Sequence, residues 1–209
     1  ALLRAGGAQR SEADRTELLH VAHKNAERLA RLVNDLLDID KLQSGTLDFQ
    51  FESTDLGRLI EASVQQNQPY SQELGVVIDL EVPDQPVMAE VDRGRMLQVM
   101  SNLLSNAAKF SAPGSRARVR LTAGAAGARI SVIDSGRGMS PEFRRRLFTR
   151  FAQENRIATP GKAGTGLGLA ICKSIVDRHG GQMHVETKMA VGTIFHIDLP
   201  YRQAAEPQH

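Results

Sequence analysis

The chain has 209 residues, of which 41% are hydrophobic and 24% are charged, and this composition is ordinary for a globular protein. The length accommodates one domain with an additional element, or two small domains. A formal net charge of only +2 argues against the strongly basic surface that non-specific nucleic-acid binding requires. We find no apolar run long enough to span a membrane, and the single cysteine excludes an internal disulfide. We therefore expect these residues to contact neither nucleic acid nor membrane, in a reducing compartment such as the cytoplasm.

One long amphipathic helix is predicted from about residue 11 to residue 44, because apolar residues recur there at steps of three and four. The Gly6-Gly7 pair before it, preceded by residues 1–5, is typical of the end of an earlier helix and its turn. We interpret residues 1–45 as the C-terminal part of a helical hairpin, although a helix that packs on its own domain fits as well. The apolar stripe consists of Leu18, Leu29, Leu32, Val33, Leu36, Ile39 and Leu42.

Residues 46–200 are predicted to form a second domain in which helices and strands follow no regular strand-helix-strand series. This pattern indicates an α+β fold, a two-layer sandwich with helices on one face of a mixed sheet. The stretch from 153 to 162 lacks apolar periodicity and is interpreted as a mobile lid, and residues 201–209 as a disordered tail. The predicted strands are 47–52, 76–82, 87–91, 117–122, 128–134, 182–187 and 193–199, and the predicted helices begin near 55, 92, 140 and 167.

Asn102, Asn106 and Lys109 lie at steps of four and three on the predicted helix 92–109, so they share one of its faces. Two amides and an ammonium suit hydrated magnesium and phosphate oxygens. A solvated helix face would show the same spacing.

Asp134 ends an apolar strand and is followed by Gly136 and Gly138. A buried carboxylate needs a hydrogen-bond donor, which the exocyclic amine of a purine would supply while the glycines let the ligand approach the backbone. A tight turn capped by the aspartate is the alternative.

Gly164, Gly166 and Gly168 lie directly before a predicted helix. Small residues with free N–H groups at a helix N-terminus form an anion site. The spacing matches neither the P-loop nor the dinucleotide-binding pattern. A flexible hinge would account for the glycines equally well.

Together and in this order, the three elements resemble the ATPase domain (GHKL, or Bergerat, type) of histidine kinases, heat-shock chaperones of the 90-kilodalton class, type II topoisomerases and mismatch-repair proteins. Two features narrow the resemblance to sensor histidine kinases of two-component systems. Phe148 and Phe151 lie between the second and third elements, and residues 30–38 are similar to the second helix of the kinase dimerisation hairpin. The resemblance extends from about residue 18 to residue 200.

The resemblance implies that the chain binds ATP and Mg²⁺. Asp134 would bind the adenine amine, Asn106 would hold the metal, and Lys109 would reach the phosphates, with Arg150 as a further lid charge. The residues implied to contact ATP are Asn102, Asn106, Lys109, Phe110, Asp134, Gly136, Gly138, Met139, Phe151, Lys162, Gly164, Thr165, Gly166, Leu167, Gly168, Leu169 and Thr193.

Family members phosphorylate a histidine on the first hairpin helix, usually one followed by an acidic residue. None of the six histidines here is followed by Asp or Glu, and His20 and His23 lie on the predicted second helix. We therefore expect the phosphoacceptor to lie before Ala1, and we expect no catalytic residue and no autophosphorylation within this chain. The resemblance also implies a homodimer through the hairpin and a response-regulator receiver domain as partner, in a parent protein that other segments could anchor in a membrane.

Three other functions share parts of this pattern. A nucleotide-binding regulatory module would keep the fold without phosphoryl transfer. An anti-sigma-type serine kinase would use the same ATP fold, but the long first helix argues against it. An ATP-driven clamp, as in the chaperones and topoisomerases, would need transducer domains that this chain does not contain.

Overall fold

The computed structural model of the chain describes residues 12–44, 47–154 and 165–202. Its twelve helices and strands within these ranges alternate irregularly along the chain, as the sequence predicted. The elements are α1 Glu12–Gln43, β1 Glu52–Asp55, α2 Leu56–Glu73, β2 Val77–Glu81, β3 Met88–Val91, α3 Arg93–Phe110, β4 Arg116–Ala123, β5 Gly127–Asp134, α4 Pro141–Arg145, α5 Gly168–Arg178, β6 Gln182–Lys188 and β7 Gly192–Pro200.

The main sheet has five strands in the order β2-β4-β5-β7-β6. Only the β2–β4 pair is parallel, so the sheet is mixed. Strands β1 and β3 form a separate antiparallel pair. Helices α2, α3 and α5 pack together and against the sheet, which confirms the predicted α+β sandwich.

Strand β4 shows how the sequence separates the two faces of the sheet. Ala117, Val119 and Leu121 are buried in the core that the sheet shares with the helices. The arginines between them are exposed and pair with carboxylates of β2, as in the ion pair of Arg118 with Glu81. The period of two therefore gives one apolar face and one charged face.

Helix α1 confirms the long amphipathic helix predicted at the start of the chain. Within the described ranges, no helix is long and apolar enough to cross a membrane. Apolar side chains of α1 are exposed to solvent in the structure, namely Leu19, Val21, Leu29, Val33, Leu36 and Leu37.

The strand predicted at 47–52 is wrong, because regular pairing begins only at Glu52. The alternating apolar residues before it serve another purpose. The rings of Phe49 and Phe51 stack with centroids 5.8 Å apart, and both meet the buried ring of His179 edge-on, at 5.5 and 5.1 Å. The alternating apolar residues of this connecting segment, residues 47–51, pack against the end of α5 and do not pair with a strand.

The predicted starts of α2, α3 and α4 are confirmed by their caps. The side chains of Asp55, Asp92 and Ser140 accept hydrogen bonds from the first turns of α2, α3 and α4. The predicted lid from residue 155 onward, and the tail from residue 203 onward, lie outside the described residues.

Candidate nucleotide-binding site

Helix α3 carries the first predicted element. Its buried side includes Leu103 and Leu104, whereas Asn102, Asn106 and Lys109 are half-buried on another face. The three polar side chains thus share a helix face, as their spacing predicted. They are accessible enough to meet a ligand and still fixed by a helix that crosses the core.

Asp134 ends β5, the central strand of the sheet. Its Oδ1 accepts a hydrogen bond from the backbone N–H of Gly136 at 2.8 Å, and the backbone of Thr193, its partner on β7, also hydrogen-bonds to it. Burial raises the pKa of the Asp134 carboxyl above its usual range, while these two hydrogen bonds act in the opposite direction. A further donor would stabilise the partly desolvated carboxylate, and this fits the amine of an adenine.

The glycines after Asp134 allow close contact between three parts of the chain. A Cβ on Gly136 would lie 2.6 Å from the carbonyl oxygen of Phe110 at the end of α3. Gly138 has a φ of +66°, and a Cβ there would collide with the carbonyl oxygen of Lys188 at the end of β6. Glycine therefore brings the Asp134 turn against both the asparagine helix and the β6–β7 turn.

The glycines at the start of α5 have a similar role. A Cβ on Gly168 would lie 2.5 Å from Oδ1 of Asn102, so the N-terminus of α5 lies directly on the asparagine face of α3. Gly166 has a φ of +75°, and a Cβ there would lie 2.7 Å from the backbone of Phe151. The N-cap residue of α5, Leu167, makes no side-chain capping hydrogen bond, which suits a helix start that donates to an anion.

Phe110 follows Lys109 at the end of α3, and its ring is partly exposed. The Lys109 ammonium and the Arg137 guanidinium each lie 5.0 Å from the ring centroid, within cation–π range. Arg137 also pairs with the buried carboxylate of Glu154 at 3.4 Å. Sequence reasoning missed Arg137 and Glu154. The position of Arg137 between Gly136 and Gly138 is a signal in the sequence that this arginine belongs to the site. No such signal marks Glu154, because its pairing with Arg137 depends on the fold.

Met139 is held at the edge of the sheet by a residue that sequence reasoning also missed. Its backbone N–H donates to Oγ1 of Thr187 at 3.0 Å, and the same hydroxyl lies 3.2 Å from that of Thr193. The two threonines and Met139 thus lie beside the Asp134 turn, since Thr193 pairs with Asp134 across β5 and β7.

The structure therefore brings the three predicted elements together, and the remaining predicted residues lie around them. Leu167 is buried, Leu169 packs against the core, and Thr165 accepts a hydrogen bond from the Leu167 N–H. Lys162 and Gly164 lie outside the described residues. A half-buried carboxylate, a polar helix face and a glycine-bounded helix start together fit a nucleotide with its base at one end and its phosphates at the other.

Fold and site together define an ATP-binding domain, and comparisons with known proteins agree. A family model described as "Histidine kinase-, DNA gyrase B-, and HSP90-like ATPase" matches residues 91–203, slightly more than half of the chain, and the chain belongs to this family. It is 37% identical to Drug sensory protein A of Synechocystis sp. in an alignment of 213 positions that covers 95% of this chain and 31% of that protein. Curated relatives are thus about three times as long as the matched part.

Solved structures show the same fold. Full-length ShkA in complex with AMPPNP has a TM-score of 0.77 and 27% identity, covering 96% of this chain and 42% of that one. Histidine kinase ThkA in complex with the response regulator TrrA has a TM-score of 0.73 and 22% identity, covering 93% and 53%. Within its family, the chain is thus a catalytic ATP-binding domain of the sensor histidine kinase type.

Proposed function

We propose that the chain binds Mg-ATP and presents the γ-phosphate to a histidine on the partner helix of α1, for onward transfer to an aspartate of a response regulator. One observation carries this proposal. The Asp134 turn, the asparagine face of α3 and the N-terminus of α5 meet through glycine contacts, where a Cβ would crowd the Phe110 carbonyl oxygen at Gly136 and the Asn102 side chain at Gly168. Phosphoryl transfer needs positioning and charge neutralisation, and these three elements supply both.

The proposed roles follow the chemistry of each group. Asp134 accepts a hydrogen bond from the adenine amine, and the turn formed by Gly138 and Met139 encloses the base. Lys109 and the N–H groups at the start of α5 attract the phosphates.

Asn106 would hold Mg²⁺ through its amide oxygen. Among the described residues, no group of three or more His, Cys, Asp and Glu side chains is placed to hold a metal ion. An amide oxygen as the protein ligand suits magnesium, which keeps several waters and shares the oxygens of a nucleotide. When bound, the metal neutralises charge on the transferred phosphate.

Residues 1–45 are proposed to belong to a dimerisation hairpin, residues 46–200 to the ATP-binding domain and residues 201–209 to a tail. Leu29, Val33 and Leu36 lie at steps of four and three on α1 and are each at least half exposed, at 63%, 50% and 56%. A second hairpin would cover such a stripe, which supports a homodimer of the parent protein. The solved complex of ThkA with TrrA supports a receiver domain as the partner. We place the domain in the cytoplasm, where ATP and such regulators occur.

The proposed reaction is tested with radiolabelled ATP on the parent protein. Wild-type protein should gain acid-labile phosphate on a histidine, and Asn106→Ala should remove this signal. Asp40→Asn serves as the control, because Asp40 is exposed on α1 and far along the chain from the site. The isolated chain should bind Mg-ATP without gaining phosphate. Phosphate on His20 or His23 of the isolated chain would contradict the proposed source of the acceptor.

A further inference from the structure

A polar contact joins α1 to the first turns of the asparagine helix. Asp38 of α1 accepts hydrogen bonds from Nη1 of Arg95 at 3.1 Å and from Nε2 of Gln98 at 2.7 Å. The same Arg95 nitrogen donates to the side-chain oxygen of Gln98 at 3.0 Å, so each of the three side chains is hydrogen-bonded to the other two. The side chains of Asp38 and Arg95 are only 20% and 26% exposed, so solvent screens the ion pair less than a surface pair.

A second contact joins the connecting segment to the same turn. The backbone N–H of Gln50 donates to Oδ2 of Asp92 at 3.0 Å, while Oδ1 of Asp92 caps the N–H of Arg95. The backbone N–H of Asp92 donates in turn to Nε2 of the buried His179. The connecting segment is itself attached to α1, because the N–H of Leu47 donates to the carbonyl oxygen of Lys41 at 3.2 Å. Both contacts thus end within one turn of α3, and with the packing of α1 against α5 they set the direction of α1.

The contacted turn leads directly into the nucleotide site. Gln98 lies one helical turn before Asn102, and Asn106 follows one turn later. Because a helix in a packed core moves as a rigid element, a change in the orientation of α1 relative to Arg95 and Gln98 is also a change relative to Asn106.

We propose that Asp38 is a positioning residue, which with Arg95 and Gln98 holds the ATP-carrying helix at a fixed orientation to α1. This inference rests on the proposed function, because the orientation matters for transfer to a histidine on the helix paired with α1. Asp38 contacts α3 through Arg95 and Gln98, before the residues proposed to bind ATP, so it affects the geometry of transfer and leaves the affinity for ATP unchanged. Reactions of this kind lose rate steeply when the reacting groups are displaced.

The orientation is measured on the chain itself by pulsed electron paramagnetic resonance. Spin labels are attached at Ala26→Cys on α1 and Thr122→Cys on β4, two exposed positions, and the native Cys172 is fully buried. The otherwise unchanged chain should give one narrow distance distribution. Asp38→Ala should broaden it and lower the ratio of docked to undocked molecules by roughly tenfold or more, the effect of losing hydrogen bonds to a charged group.

Two further variants decide whether the ion pair of Asp38 with Arg95 is what keeps the distance distribution narrow. Asp40→Ala removes an exposed carboxylate two residues away and should leave the distribution unchanged. The double variant Asp38→Arg with Arg95→Asp reverses the ion pair and should restore the narrow distribution. An unchanged distribution in Asp38→Ala, or a loss that the reversed pair does not restore, would overturn the proposal.

In the parent protein, Asp38→Ala should lower kcat for histidine phosphorylation by roughly tenfold and leave KM for ATP within about twofold. An unchanged or increased kcat would contradict a positioning role. If the wild-type parent transfers no phosphate to histidine, the proposed function fails, whereas the distance measurement still tests the docking of α1.

Discussion

Gly168→Ala tests the contact that brings the third element of the site onto the first. The new Cβ would lie 2.5 Å from Oδ1 and 3.1 Å from Cγ of Asn102, whereas ordinary contacts are 3.4–4 Å. Because the crowded atoms belong to the Asn102 side chain, either this amide rotates away from α5 or the two helices separate slightly, and overpacking of this kind costs up to about 1–3 kcal/mol. The better helix propensity of alanine offsets about 1 kcal/mol of this at most. Either change moves the Asn102 amide or the N–H groups at the start of α5 away from the phosphates, and losing one such hydrogen bond lowers ATP affinity at least about tenfold.

Gly94→Ala is the matched control for this substitution. Gly94 is exposed in the first turn of α3, and a Cβ there would make an ordinary contact, 3.5 Å from the Asp92 carboxylate. This variant should gain about 0.4–1 kcal/mol of stability and bind ATP as the wild type does. Urea unfolding followed by circular dichroism and titration with a fluorescent ATP analogue measure the two effects. If Gly168→Ala is as stable as Gly94→Ala and binds ATP equally well, the described contact does not hold the site together.

Three other substitutions address separate parts of the fold. Burial lowers the pKa of His179 below 6.5, so the stability from its neutral form is present above pH 6.5 and is lost as the pH falls below it. In His179→Gln, the urea concentration at the unfolding midpoint should therefore depend less on pH between 7.5 and 5. Thr187→Val removes the acceptor of the Met139 N–H, and should destabilise the protein by about 1–3 kcal/mol and weaken ATP binding. Arg129→Gln breaks an exposed ion pair with Asp198 and should change the free energy of unfolding by less than about 1 kcal/mol. A larger loss would show that ion pairs on the exposed face of the sheet contribute substantially to stability.

The fold was predictable where local chemistry decides the structure. The caps at Asp55, Asp92 and Ser140 mark helix starts because their side chains bind the next turn whatever surrounds them. Alternation in β4 likewise predicts a strand with one buried face. The same rule failed at residues 47–52, because alternation shows only that one side of an extended segment is covered. The rings of Phe49 and Phe51 are covered by His179, whose position depends on tertiary structure.

The site was predictable to a similar extent. Spacing alone placed Asn102, Asn106 and Lys109 on one helix face, because helical geometry fixes it. Spacing could not show that Gly168 lies on Asn102, since that contact joins residues far apart in the chain. Nor could it find Thr187 or Glu154, whose partners are set by the pairing of strands and the path of a loop.

Isothermal titration of the chain with Mg-ATP, for the wild type and for Asp134→Asn, tests the central claim most directly. We predict one site per chain in the wild type, and at least about tenfold weaker binding in the variant, because it loses the charged acceptor. Since burial raises the pKa of Asp134, wild-type binding should also weaken on acidification before an exposed aspartate would titrate. Binding that is absent in the wild type, or equally tight in Asp134→Asn, would contradict the assignment of this site to ATP.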